Sequence, residues 1–418
     1  MKNSKDEVTL TFTGDIMCLP QQISSVEKSC GTRSYGDMFS QVSSLWRDSD
    51  YVVGNLETPV AGPEMRYASA SMSFNAPDAF LEAVRASGVD FVSLANNHCM
   101  DRGINGLERT IRKVKSSGLD FTGAYLTEKD SDRVFVKEIK GIRFAFISCT
   151  YAFNRSLESV QRLRDEQWRV DVLTALSFDG APIPGAIRRF LSKAEPRFSK
   201  AIRRALREEY SGGRKACYQA DAIYPRRIGK EVDRQYEERI RDKIIQAKKT
   251  ADFVICLPHI GGQYNPAPGE YQKYTMKWMS DCGADLVIAN HAHTPLRCER
   301  FSNGVLGAYA LGNFCFTPGV GFYEPEHLAE YSVLLNVTVD RMEGRVCYKR
   351  ANFSVLKSVP DGHGGAIVNP IPKLYSQTQN LFEREKLVLE NEAVVNRFSG
   401  GSLSVGINDS YVYPLAKE

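Results

Sequence analysis

Short apolar runs, each closing on a polar residue able to hold a metal or a substrate, recur along the chain. Val8 to Thr13 leads into Gly14-Asp15, Asp50 to Val53 into Gly54-Asn55-Leu56-Glu57, and Asp90 to Ala95 into Asn96-Asn97-His98. Further on, Asp252 to Pro258 ends at His259, and Asp285 to Ala289 ends at Asn290-His291-Ala292-His293. Runs this short, rich in β-branched and aromatic residues and flanked by polar ones, predict strands buried on both faces. Between them the apolar spacing changes to three and four. Ile104, Leu107, Ile111 and Val114 predict a helix ended by Gly118, and Asp78 to Ser87 predicts another, begun near Pro77 and ended by Gly88. Strands alternating with helices predict an α/β architecture, in which ligands collect beyond the carboxyl ends of the strands. Every polar terminus named above would sit there.

Two segments depart from this pattern. Residues 155–250 form a long insert, with a basic helical stretch from Arg188 to Lys215 that carries ten Lys/Arg against three Asp/Glu. A second helix follows it, with Val232, Tyr236, Ile240 and Ile244 on one stripe. After Asn313 the chain turns β-rich, and Tyr331 to Val339 with Val346 to Leu356 predicts a hairpin around Arg341-Met342-Glu343-Gly344. A last helix is predicted from about Asn380 to Arg397. The expected organisation is a core domain in two halves, 1–154 and 251–358, separated by the insert at 155–250 and followed by an extension at 359–418. There are no internal repeats.

Composition narrows the class. With 418 residues, 43% hydrophobic and 25% charged, the chain can bury a large core without disulfide or zinc staples. A net charge of only +4 gives no sign of a nucleic-acid partner. No apolar signal region opens the chain and no stretch approaches eighteen uninterrupted apolar residues, which predicts a cytoplasmic protein with no transmembrane segment. The ten cysteines include no CxxC pair, and Cys149 and Cys256 lie inside apolar runs, so they are expected to be reduced.

The histidines carry the chemistry. There are six, and four of them (His98, His259, His291 and His293) stand at the ends of predicted strands. One residue separates His291 from His293, so both imidazoles can face one pocket or reach two adjacent metals. Asp15 offers a hard anionic oxygen and Asn97 a neutral carbonyl. Such a mixed nitrogen and oxygen set suits manganese, zinc or iron, one ion or two, rather than a structural zinc held by cysteines.

Six segments occur in the order of the CapA family, the poly-γ-glutamate capsule synthesis proteins. These are Thr13-Gly14-Asp15-Ile16-Met17, Gly54-Asn55-Leu56-Glu57, Ala95-Asn96-Asn97-His98, His259-Ile260-Gly261-Gly262, Gly283 to His293, and Leu311-Gly312-Asn313-Phe314. The chain resembles that family over about residues 7–150 and 250–317, and through it the calcineurin-like metallo-dependent phosphatases. The resemblance implies a four-layer metallophosphatase-like sandwich of two mixed β-sheets flanked by helices, with a metal centre in the loops at one edge. It implies that Asp15 and His293 hold one metal and Asn97, His259 and His291 the other. Glu57 or Asn55 stands where the phosphatases place a bridging aspartate, and His98 is the general acid or base. The phosphatases begin with Asp-x-His, whereas Asp15 is followed here by Ile16 and Met17, which removes one nitrogen from the first site.

Three functions follow from these readings. The first is metal-dependent hydrolysis of a peptide-like, polyglutamate-like or phosphoester substrate, with a cation-activated water as nucleophile and His98 protonating the leaving group. The second is peptide epimerisation, implied by the same family resemblance, in which a base removes and another group returns a Cα proton. The third is a non-enzymatic module that binds an anionic polymer through the basic insert. Asn313, Tyr264, Arg188 and Arg189 are the substrate-binding candidates. Tyr271, Tyr274 and Trp278 are expected either to line a groove or to pack in the core.

Overall fold

The computed structural model describes residues 7–68, 73–153, 163, 166–174, 228–318, 327–401 and 406–415. The basic stretch from Arg188 to Lys215, with Arg188 and Arg189, lies outside the described residues, as does the side chain of Val232.

The first part of the chain alternates as its pattern predicts. It runs through β1 (Val8–Ile16), α1 (Pro20–Glu27), β2 (Tyr51–Leu56), α2 (Asp78–Ala86), β3 (Phe91–Ser93), α3 (Gly103–Ser116) and β4 (Asp120–Thr122). A hairpin of β5 (Phe135–Ile139) and β6 (Ile142–Thr150) follows. Then come α4 (Glu231–Thr250), β7 (Phe253–His259), α5 (Glu270–Asp281), β8 (Leu286–Ile288), β9 (Pro295–Arg300), β10 (Leu306–Leu311) and β11 (Asn313–Cys315). The last part contains β12 (Tyr331–Met342), β13 (Arg345–Pro360), β14 (Ala366–Pro370), α6 (Ile371–Gln377), α7 (Leu381–Ser399) and β15 (Tyr411–Tyr413). The helix boundaries have local causes. Pro77 precedes α2, Gly118 takes a left-handed φ of 78° just past α3, and the Asn380 side chain accepts a hydrogen bond from the Glu383 backbone N–H at the start of α7.

Two mixed sheets result, one ordered β14-β13-β12-β1-β2-β3-β4 and the other β5-β6-β7-β8-β10-β9. In the first sheet β11 also pairs with β1, and β15 with β13. The described chain after residue 360 therefore adds two strands to the first sheet, because β14 pairs with the end of β13 and β15 with its middle.

Strand periodicity sorts side chains into layers. Leu10, Phe12, Tyr51, Val53 and Phe91 of the first sheet share one core with Phe144, Phe146, Phe253 and Ile255 of the second. Their neighbours point the other way. Val52 and Val92 pack with Phe80, Val84, Leu107 and Ile111 of α2 and α3. Ala145, Ile147, Val254 and Cys256 pack with Ile240 and Ile244 of α4 and Met276 and Met279 of α5. Helices, sheet, sheet and helices make four layers. Phe146 anchors the middle, with ring centroids of Phe91 at 4.8 Å and Tyr51 at 5.7 Å. Tyr271 and Trp278 belong to the outer core around α5, not to the strand-end cluster. Helix α7 closes the inter-sheet core at one edge, where Phe398 meets Phe353 at 4.7 Å.

The parallel strands β1, β2 and β3 of one sheet and β7 and β8 of the other all end on the same side, with the polar residues the sequence singled out at or within a few residues of those ends. Gly14 permits this at β1. A Cβ there would stand 1.9 Å from the Gly312 carbonyl oxygen, so only glycine lets β1 approach the turn into β11 and set Asp15 in register with Asn313.

Candidate metal centre

Asp15, Asn55 and Asn313 occupy one row across β2, β1 and β11, while β7 delivers His259 and the turn after β8 delivers His291 and His293. All of them, with Glu57 and Asn97, are buried. His259 Nε2 lies 2.8 Å from Asn97 Oδ1, 3.0 Å from His291 Nδ1 and 3.3 Å from Glu57 Oε1. His293 Nε2 is 3.8 Å from the same Glu57 Oε1, and His293 Nδ1 is 3.5 Å from Asp15 Oδ2. Asn55 presents its amide nitrogen 2.7 Å from Asp15 Oδ1 and 3.2 Å from His259 Nδ1, which orients both neighbours.

Neither Glu57 oxygen accepts a hydrogen bond, although the residue is wholly buried. Burying a carboxylate without partners is expensive. Donors held about 2.1 Å from one first-row ion stand roughly 3.0–3.4 Å apart, close to the separations around His259 Nε2. Two groups place one ligand atom from each member within 4.8 Å of the others: Glu57 with His291 and His293, and Asp15 with Glu57 and His259. Glu57 belongs to both. The donor set thus fits a divalent cation, and its orphaned carboxylate lacks only the positive charge such an ion brings.

Electrostatics agree. Burial lowers His259 to about 4, only partly opposed by Asp15, and pushes His291 well below the usual histidine range, so both imidazoles keep free lone pairs at neutral pH. Burial, reinforced by the negative charge of Asp15, raises Glu57 to about 8. Burial also acts to raise Asp15, but the hydrogen bond with His293 and the charges of His259 and His293 outweigh it and hold the carboxyl below its ordinary value. The backbone is unusual here as well. His291 and His293 have φ of 103° and 55°, and Tyr264 has 59°. Non-glycine residues in this region are strained by about 1–3 kcal/mol each and persist where the surroundings dictate a function.

The remaining candidates fall around this cluster. His98 stacks on Phe74 with centroids 4.1 Å apart, and its Nδ1 is 2.7 Å from Asp101 Oδ2, which also accepts the Phe74 backbone N–H at 2.6 Å. Tyr264 lies beside His293, centroids 5.6 Å apart, and Asn313 Oδ1 is 2.9 Å from His293 Nδ1. Three contributors carry little sequence signal. Asp101 follows His98 by three residues; Tyr151, just past β6, places its hydroxyl 3.0 Å from His291 Nε2; and Asn96 donates to the Leu56 carbonyl, tying the β3 loop to β2. An acidic residue three positions after a strand-end histidine was the one available cue.

The family model "Bacterial capsule synthesis protein PGA_cap" matches residues 9–318. The chain is 25% identical over 336 residues to "Capsule biosynthesis protein CapA" of Bacillus anthracis, covering 80% of this chain and 66% of that one. It is 23% identical over 337 residues to "PGA biosynthesis protein CapA" of Bacillus subtilis (strain 168), covering 80% and 70%. The chain thus spans about two thirds of the length of these relatives. Among solved structures, the calcineurin-like phosphoesterase YfkN from Bacillus subtilis is 11% identical with a TM-score of 0.44, over 92% of this chain and 96% of that one. Among the described residues, no helix is long and apolar enough to cross a membrane.

Proposed function

The chain belongs to the bacterial capsule synthesis protein PGA_cap family, and from that membership we propose that it is a metal-dependent hydrolase of a peptide-like, polyglutamate-like or phosphoester substrate. One observation carries the reading: Glu57, buried and without a hydrogen-bond partner, is common to both groups of converging donors. The resemblance would give Asp15 and His293 to one ion and Asn97, His259 and His291 to another, whereas the donors that converge here group as Glu57 with His291 and His293 and as Asp15 with Glu57 and His259, so Glu57 rather than Asn55 would be the shared ligand. When bound, manganese, zinc or iron supplies Lewis acidity toward an acyl or phosphoryl oxygen and an acidified water. Asn313 fixes the His293 ring through Nδ1 and leaves Nε2 for the site, and Tyr151 does the same for His291 through Nε2, leaving Nδ1. Asp101 accepts the His98 Nδ1 proton and orients the ring, through which a proton would pass to the leaving group.

The test is incubation of metal-loaded protein with γ-linked glutamate oligomers and with an aryl phosphoester in deuterium oxide, read by mass spectrometry. Shorter products, lost in His98→Ala, are expected. Unchanged length with one deuterium gained would point instead to epimerisation, and no change in either substrate would refute enzymatic turnover of both.

A further inference from the structure

A cavity of about 280 Å³ lies between the last turn of α7, strand β9 and the loop that follows Tyr264. Lys273, Arg297 and Arg397 line it, with Glu299 as the one acidic residue. Glu299 is already occupied, since Tyr309 donates to its Oε1 at 2.6 Å and Arg297 lies 3.3 Å from its Oε2. Lys273 has an exposed neighbour, Glu270, at 3.6 Å. Arg397 has no carboxylate partner among the described residues. Its Nη1 donates to Thr294 Oγ1 at 2.8 Å, and its Nε and Nη2 make no hydrogen bond there. Burial lowers its guanidinium from the ordinary range with no anion opposing the effect. A half-buried guanidinium with a free edge matches the two oxygens of a carboxylate.

The cavity adjoins the cluster of histidines. Thr294, which receives the Arg397 hydrogen bond, is the residue after His293, about 3.8 Å further along the backbone. Pro266, Ala267 and Pro268 continue the loop that lays Tyr264 beside His293. Both walls are therefore continuations of segments that build the metal centre.

We propose that this cavity is a carboxylate subsite, in which Arg397, supported by Arg297 and Lys273, grips a free carboxylate of an acidic substrate next to the reacting bond. The assignment rests on the hydrolase reading for its substrate but not for its chemistry. Neither Arg397 nor its neighbours belongs to the converging donor set.

Calorimetric binding of a γ-linked glutamate hexamer, and of the same hexamer with its free carboxylates amidated, tests it in wild type, Arg397→Gln and Arg397→Lys. Melting midpoints establish that each variant folds. The acid hexamer is expected to bind wild type about 10-fold or more tighter than Arg397→Gln, with Arg397→Lys between them, and the difference is expected to vanish for the amidated hexamer. Equal binding of the acid hexamer by folded wild type and Arg397→Gln would overturn the subsite even if hydrolysis is observed. If wild type binds no hexamer, glutarate replaces it as probe and phenylglyoxal labelling of Arg397 is read by peptide mass spectrometry. Protection by glutarate would keep the carboxylate subsite while the polyglutamate-like substrate falls, and no protection would overturn the subsite as well.

Discussion

The same strands build two buried regions that obey opposite rules. Between the sheets, Leu10, Phe12, Phe146 and Phe253 are buried and satisfied, because apolar surface asks only for close neighbours. A few residues further along, beyond the carboxyl ends of strands, Asp15, Glu57, His259 and His291 are equally buried but crowd polar atoms together, and Glu57 has no hydrogen-bond partner. The first region explains why the chain folds. The second contributes nothing to folding that apolar side chains would not do better. Burial is therefore no guide to function by itself; burial without satisfaction is.

Substitutions separate the two regions, and the largest effect is expected at Glu57. Glu57→Gln should lower activity by more than about 100-fold, beyond the roughly 10–100-fold typical of partners that only orient metal ligands, and should cut bound metal in elemental analysis. Compared metal-free, the same variant should be at least as stable as wild type in urea unfolding, because it removes a buried carboxyl that has no hydrogen-bond partner. Phe146→Ala should do the reverse, costing about 3–5 kcal/mol in the same unfolding measurement while metal content at low temperature stays unchanged. Tyr151→Phe removes one hydroxyl from His291 Nε2 and should weaken metal binding by about 10-fold with little change in unfolding.

The smallest effect lies far from both regions. Burial alone would raise Asp252, but hydrogen bonds from Arg143 and Arg341 outweigh it and hold the carboxyl at about 2, below its ordinary 3.8. Its contribution to stability is therefore complete above pH 3.8 and lost as pH falls through about 2. Asp252→Asn should flatten the acid limb of a pH-dependent melting curve and leave metal content untouched.

Much of this was legible along the chain. Strands β1, β2 and β7 announce themselves because burial on both faces leaves uninterrupted apolar runs, and their ends stand out because Asp15, Glu57 and His259 break those runs. The hairpin of β12 and β13 was readable from its turn at Glu343-Gly344, both at positive φ. The pairing of β14 and β15 with β13 was not, since register between strands distant in sequence leaves no local periodicity. Asp101 and Tyr151 were hidden for a related reason: each acts through one hydrogen bond to a histidine, and one polar atom changes no pattern. Arg397 is spaced like any cation in the last turn of a helix, and only the fold shows that it lies against the residue after His293. Arg188 and Arg189, read from charge alone, lie outside the described residues, so the role given to the basic insert rests on composition.

The central claim is that folding gathers these distant side chains around a cation. The most direct test is plasma mass spectrometry on protein purified without added metal, alongside His259→Ala combined with His291→Ala. One or two equivalents of manganese, zinc or iron in wild type, falling to trace in the double variant while circular dichroism is unchanged, is the predicted result. Wild-type protein that is metal-free as purified and takes up none of the three ions on titration would contradict it.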